Sequence, residues 1–322
     1  MSTVSQSPDR SKSRPTQTGP DLAAPQSPEV RAGPAALLRR LARGRNLLGV
    51  APFTAFVVVF LAIPTLVVAI GAFTSDTHGF TLSNVSALTS GYIVDAFVRS
   101  IELSAVSAVI GAILGALLAY ALVTAKPDGI LRRLVTAASG VLAQFGGVML
   151  AFAFLATIGL SGFVTLLLRN DFGIDIFAGS VWLFELPGLI LVYTYFQIPL
   201  MVIVFLPALD GVRPQWREAT MNLGGSTWQY WRLVAAPILF PSFIGATLLL
   251  FANAFSAYAT AAALVSQGSP IVPLQIRSAL TSEVILGQAN LGKAMALGMI
   301  AVVAVVMSIY ALLQRRAAKW LG

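Results

Sequence analysis

Six runs of about 20 apolar residues each divide this 322-residue chain and leave it few possible folds. They fall at residues 50–73, 97–125, 134–160, 187–209, 237–264 and 291–313. In lipid, a lone segment satisfies its own backbone N–H and C=O groups only as a helix. The pattern therefore predicts an all-α membrane protein with about six transmembrane helices. Composition agrees: charged residues make up 11% of the chain, against about 25% in soluble domains. There is no cysteine, so no disulfide framework or thiolate metal site is possible, and His78 is the single histidine. Gly111, Gly115 and Ala119 recur every four residues in the second run, a small-residue face suited to close helix packing.

Lys and Arg set the orientation. Of 21 such residues, 17 lie in the N-terminal tail, near Lys126, in the loop between the fourth and fifth runs, and at the C-terminus. Arg99, Arg169, Arg277 and Lys293 lie on the other side. Both termini are therefore expected in the cytosol of a multi-pass plasma-membrane protein. The net charge of +8 reports topology in this reading, and no nucleic-acid partner is expected. Residues 1–34, rich in Ser, Pro, Thr and Gln, read as a disordered cytosolic tail. Residues 35–96 hold a basic amphipathic stretch, the first span and an extracytoplasmic loop. Residues 97–314 form the main transmembrane domain, and 315–322 a basic cytosolic tail. The connectors 161–186 and 265–290 carry the mixed polar and apolar content of helices lying across the membrane surface. Phe163, Trp182 and Phe184 mark the first of them, Pro270 and Pro273 the second.

The cytosolic loop 210–236 has its own local logic. Pro214 precedes good helix formers through Leu223, and Gly224-Gly225 permits a left-handed stop. Ser226 is placed to cap a second short helix, and Pro237 to open the fifth span where its missing N–H costs little. The expected product is a helix–turn–helix elbow at the membrane surface, with Glu218 near its centre. An ordinary interfacial connector anchored by Trp228 and Trp231 is the simpler alternative.

The spacing resembles the Glu-Ala-Ala loop of ABC transporter permeases: Glu-Ala-Ala, three residues, Gly, nine residues, then an aliphatic-x-aliphatic-Pro ending. Glu218, Ala219, Gly224 and Pro237 fall at the family positions. Thr220 stands for the second Ala, and Ala236 for the usual Leu before Pro. The resemblance continues at Val98-Arg99-Ser100-Ile101-Glu102-Leu103-Ser104, with Arg99 where Asn is usual, and at Gly115, Ala119 and Tyr120. It implies the type I importer permease fold, with Glu218, Ala219, Thr220, Gly224 and Pro237 coupling the pore to an ATPase. Implied partners are two ABC ATPase copies, a second permease subunit, an extracytoplasmic substrate-binding protein and membrane lipid. The implied location is the bacterial inner membrane. The elbow sequence is similar to the branch that imports polyamines, ferric iron, sulfate, thiamine and phosphonates. Residues 254–260 and 272–276 most resemble its polyamine permeases, so the expected substrate is a spermidine-like or putrescine-like polyamine or another small polar solute.

The chain has no Gly-rich loop ending in Gly-Lys-Ser/Thr; Gly292-Lys293-Ala294 lacks the hydroxyl that would hold magnesium. It is expected to be no enzyme and to bind no cofactor or metal, with ATP and magnesium held by the partner ATPase. Polar groups inside spans are costly in lipid and tend to face an interior. Gln144, Tyr193, Tyr195, Gln197, Asn253, Ser256 and Tyr258 are thus candidates for the translocation path or for interhelical hydrogen bonds. Two other classes stay open. A secondary transporter or channel would need deep ionisable groups or discontinuous half-helices. A membrane enzyme would need clustered His, Asp or Glu.

Overall fold

The computed structural model describes residues 50–75, 79–125, 129–265, 271–281 and 288–321, with side chains in the last stretch described for 289–313. The expected disordered tail and most of the basic amphipathic stretch lie outside these residues, as does His78. The chain divides into two compact units, Met1–Phe60 and Leu61–Gly322. Of the first, the described part begins at Val50 and is helical, with Phe53, Phe56, Val59 and Phe60 exposed.

The second unit is built from helices: α1 (Ile63–Ala72), α2 (Gly91–Thr124), α3 (Ile130–Gln144), α4 (Gly147–Ile158), α5 (Phe163–Asp171), α6 (Leu186–Asp210), α7 (Pro214–Asn222), α8 (Ala236–Ser256), α9 (Ala259–Leu264), α10 (Val272–Thr281) and α11 (Gln288–Leu321). The described strands are Thr74–Ser75 and Gly79–Phe80, which pair antiparallel just after α1. Six stretches are long and apolar enough to cross a membrane: Val50–Ala72, Gly91–Thr124, Gly147–Asp171, Leu186–Asp210, Thr227–Ser256 and Ala289–Leu313.

Helix α6 is the centre of the bundle. Tyr193, Gln197, Met201 and Val202 are fully buried on it, although Pro199 and Pro207 sit inside it. Each proline removes one helical N–H, a loss that packed neighbours make tolerable at membrane depth. The small-residue face of α2 lies against α6. A methyl group added at Gly111 would stand 2.5 Å from Gln197 Cβ, and one at Gly115 would stand 2.7 Å from the Ile198 carbonyl oxygen. Ala119 is fully buried on the same face. Glycine is required at 111 and 115 by close approach of the α2 and α6 backbones.

Side-chain contacts fix which ends of the helices lie together. Arg132 at the start of α3 donates to both carboxylate oxygens of Asp210 at the end of α6, at 2.8 and 2.6 Å. Gly245 of α8 faces Tyr310 of α11, while at the other end Gly298 faces Phe97 and Gly71 faces Lys293. The basic segments around 132 and 213–232 thus share one end of the bundle, as charge placement requires.

Two expected spans differ from the structure. The run 134–160 is not one helix. It breaks at Phe145–Gly146, and Gly147 takes a left-handed φ of +70°. At about 1.5 Å per residue, α3 is about 22 Å long and α4 about 18 Å, so neither alone crosses a hydrocarbon layer of about 30 Å. The run 237–264 starts earlier and stops sooner. Its helix runs unbroken over Thr227–Ser256, with α9 following a break at Ala257–Tyr258. Pro237 therefore does not begin a separate helix. A π-helical turn over Trp231–Ala235 carries the backbone into α8 ahead of it. The wider turn changes the hydrogen-bond spacing just where the proline lacks an N–H.

The connectors also differ from surface helices. Residue 271 and the start of α10 lie in the core: Ile271 and Val272 are buried, and the Val272 N–H donates to Ser100 Oγ at 2.8 Å. In the connector 161–186, Phe163 is exposed at the start of α5, while Trp182 folds inward, donating its indole N–H to the Ile176 carbonyl at 2.9 Å. Asp175 accepts the Phe177 N–H and a bond from Arg169, each at 2.9 Å. The backbone bond first, and Arg169 second, hold its carboxyl below the ordinary carboxylate range. What these bonds add to loop stability is present above the unfolded pKa and is lost as pH falls through the folded one.

Candidate functional site: a cytosolic elbow and two broken helices

The elbow is closed by local chemistry that the sequence announces. Helix α7 ends in a paired-bond turn: the Gly225 N–H donates to the Thr220 carbonyl at 2.9 Å, and the Gly224 N–H to the Met221 carbonyl at 2.9 Å. Such a turn needs a left-handed residue, and Gly224 supplies it with φ +79°. The next helix opens on a reciprocal cap. Ser226 N–H donates to Gln229 Oε1 at 2.7 Å, and Gln229 N–H donates to Ser226 Oγ at 3.3 Å. The two neighbouring glycines are needed for different reasons. Nothing lies within 4 Å of a methyl group added at Gly224, whereas one at Gly225 would stand 2.7 Å from Thr220 Cγ2.

Glu218 and Ala219 are exposed on the outer face of α7. Among the described residues, the Glu218 carboxylate has no hydrogen bond or ion pair, so it is open to a partner. Thr220 spends its hydroxyl on the Trp216 carbonyl at 2.8 Å, within its own helix. Its methyl group, Cγ2, lies on the Gly225 side, 2.7 Å from where a methyl group added at Gly225 would stand.

At the other end of the bundle, the two helix breaks lie against each other. The Gly147 N–H, freed at the start of α4, donates to Thr260 Oγ1 at 2.9 Å. The Ala257 carbonyl, freed at the end of α8, accepts the Tyr193 hydroxyl at 2.7 Å. Neighbours thus satisfy the backbone groups that the breaks release, the condition for non-helical backbone at membrane depth. Tyr258 sits within the second break, and the Arg277 guanidinium lies over its ring at 5.9 Å. Ser100, Ser104, Tyr193, Ala257 and Pro273 border this joint and pack too closely to leave room for a water molecule.

The polar residues expected on a path divide into groups. Asn253 and Ser256 are exposed on one face of the last turn of α8, although Ser256 also donates to its own helix. Gln144 is exposed at the end of α3, beside the first break. Tyr195 is partly exposed and packs edge-on against Phe154 at 5.7 Å. Tyr193 is buried and serves the joint. Gln197 stands apart: it is fully buried, and neither amide atom has a hydrogen-bond partner among the described residues. Sequence reasoning missed Gly147, Thr260 and Arg277. The Gly146-Gly147 pair was a usable signal; Thr260 and Arg277 gave none.

An amide buried without partners costs about 1–3 kcal/mol. Replacing Gln197 by Leu, of similar size, is expected to raise the apparent melting temperature of the purified protein by a few degrees. A thermal-shift measurement in detergent checks this. A lower melting temperature would mean that the amide is paired within the folded protein.

No protein-family model matches the chain. Among curated proteins, it is 28% identical over 119 residues to the molybdenum transport system permease protein ModB of Escherichia coli, in strains K12 and O157:H7. That stretch is 37% of this chain and 49% of ModB, so the chain spans about half the length of the curated relatives it matches. Solved structures match more completely. A bacterial ABC transporter that imports the acidic polysaccharide alginate superposes with a TM-score of 0.67 at 18% identity, covering 88% of this chain and 98% of that one. The alginate transporter in complex with its periplasmic protein gives 0.70 at 18% identity, over 87% and 97%. The inward-facing MetNI methionine transporter gives 0.53 at 16% identity, over 70% and 95%. The chain therefore has the fold seen in these bacterial ABC transporters, and part of it is similar in sequence to a transport-system permease protein.

Proposed function

We propose that this chain is the membrane subunit of a binding-protein-dependent importer of the bacterial inner membrane, driven by two partner ATPases. One observation carries the reading: the elbow presents a Glu218 carboxylate that has no partner among the described residues, on an exposed helix at the end of the bundle that holds Arg132, Arg213, Arg217 and Arg232. Glu218, Ala219 and Thr220 meet the ATPase on α7, Gly224 fixes the turn behind them, and Pro237 follows in the helix that leaves the membrane surface. One chain supplies one elbow, so a second permease completes a two-ATPase pore. An extracytoplasmic binding protein delivers the solute. ATP and magnesium belong to the ATPase.

For the substrate, a small oxyanion is the better-supported class, ahead of the polyamine expected from residues 254–260 and 272–276. Those residues prove to be the second break and α10, where the charged group is Arg277, stacked on Tyr258. A polycation would be repelled by this guanidinium, whereas an oxyanion would be attracted to it. ModB, a molybdenum permease, supports the same class.

Affinity purification through a tag on this chain should recover an ATPase and a second permease. Cells carrying the complex should take up molybdate or sulfate in preference to spermidine. Replacing Arg277 by Gln is expected to slow that uptake about tenfold or more, the effect of losing an interaction of about 1.4 kcal/mol. Recovery of a conducting oligomer of this chain alone would overturn the importer reading. Faster uptake of spermidine than of either anion would return the substrate to a polyamine.

A further inference from the structure

Two cavities adjoin on the elbow side of the bundle, and their chemistry differs. One is an apolar groove of about 480 Å³ between α2, α6 and α8, walled by Ile113, Leu117, Phe205, Phe240 and Phe243. The other, of about 250 Å³, lies under the elbow and is lined by Thr124, Arg217, Thr227 and Tyr230. They share Tyr120, Leu209, Trp231 and Leu239, so they lie side by side against the same residues. The groove is open along its side: Leu117 is 60% and Phe240 62% exposed. Arg217 makes no ion pair among the described residues. Tyr120 and Trp231 meet edge to face at 5.2 Å where the two chambers adjoin.

We propose that this composite cavity binds one anionic phospholipid of the cytosolic leaflet. Its acyl chain lies in the groove and its phosphate against Arg217. Three features select this occupant. The groove offers no polar group to a hydrated solute, so it is not a passage for a small ion. It ends at a guanidinium, which a purely apolar partner helix would leave desolvated and unpaired. Aromatic rings mark the junction between apolar and polar chambers, the position such residues take at the headgroup level of a bilayer. Basic pockets between transmembrane helices on the cytosolic side hold anionic headgroups by the same chemistry. Arg217 directly precedes Glu218, so the lipid phosphate and the elbow carboxylate are carried on one turn of α7. Leaflet composition thereby acts on the segment to which the ATPase reading assigns coupling; the lipid site itself does not depend on that reading.

The test uses the assembled transporter in nanodiscs containing phosphatidylglycerol and phosphatidylethanolamine at equal mole fraction, with bound lipid counted by native mass spectrometry. The expected result is one retained phosphatidylglycerol per copy of this chain. Arg217→Gln should lower that retention about fivefold, the effect of about 1 kcal/mol for one basic group at the membrane surface. Leu117→Trp, which fills the groove from an exposed position, should release the lipid although Arg217 is intact. Soluble glycerol phosphate should not displace it. Equal retention of both lipids by the wild type, or phosphatidylglycerol retention unaffected by both substitutions, would overturn the proposal. So would displacement by glycerol phosphate, or disulfide capture of the second permease at Leu117→Cys with no lipid retained.

Discussion

Replacing Gly224 by Val is expected to abolish transport while leaving the protein inserted and associated with its membrane partner. The residue holds φ +79° with nothing within 4 Å of an added methyl group, so any penalty is conformational and owes nothing to collision. A left-handed L-residue costs about 1–2 kcal/mol, and a β-branched one more. A penalty of about 1.4 kcal/mol already shifts a population tenfold. The Val variant therefore favours elbows in which the bonds to Thr220 and Met221 have opened and Glu218 points elsewhere. Asn, which tolerates this region, should retain much of the activity, and Ala should fall between them. Uptake and ATPase rates of the three variants, measured in reconstituted vesicles, check the order. Wild-type uptake by the Val variant would remove the elbow from the coupling step.

Replacing Gly115 by Leu is expected to have the largest effect on folding. The added side chain would meet Met201 and the Ile198 carbonyl oxygen at 2.7 Å, and a helical carbonyl cannot rotate away as a flexible side chain can. Overpacking typically costs about 1–3 kcal/mol, and more where backbone must move. Here the helices that must separate are α2 and α6, whose contact forms the centre of the bundle. The expected outcome is a broad aggregate peak on size-exclusion chromatography and loss of a cooperative melt. Gly140→Leu is the control, because a methyl group added there meets nothing within 4 Å. Equal behaviour of the two variants would show that the α2–α6 approach does not support the fold.

The contrast between the elbow and the helix breaks shows what a single sequence can reveal. The elbow was legible because its determinants are neighbours in the chain: Ser226 and Gln229 cap each other across three residues, and Gly224 closes a turn of six. The small-residue face of α2 was legible because its period is that of the helix itself. The break at Ala257–Tyr258 was not, since neither glycine nor proline stands there and the stretch reads as continuous apolar helix. It is held open from Tyr193, 64 residues earlier in the chain. The burial of Ile271 and Val272 depends in the same way on Ser100, 172 residues away. Pro273, expected to impose extended or turned backbone, falls instead in the first turn of α10, where a proline is tolerated, and gave no sign of that helix's depth; Pro270 lies outside the described residues. Gln197 was noticed as a polar group within a span, but only the packing of α2 against α6 shows that it is sealed.

The unbroken helix over Thr227–Ser256 makes the elbow the short end of a lever. Thirty residues at about 1.5 Å each form a rod about 45 Å long, so a tilt of about 5° at its cytosolic end sweeps the far end through about 4 Å. The far end is Ala257, whose carbonyl is held by Tyr193 at 2.7 Å. A displacement of that size exceeds what a hydrogen bond can follow. A rotation too small to disturb side-chain packing at the membrane surface is therefore large enough to unlatch the joint between the two broken helices. The lever's own stiffness sets how faithfully one motion becomes the other.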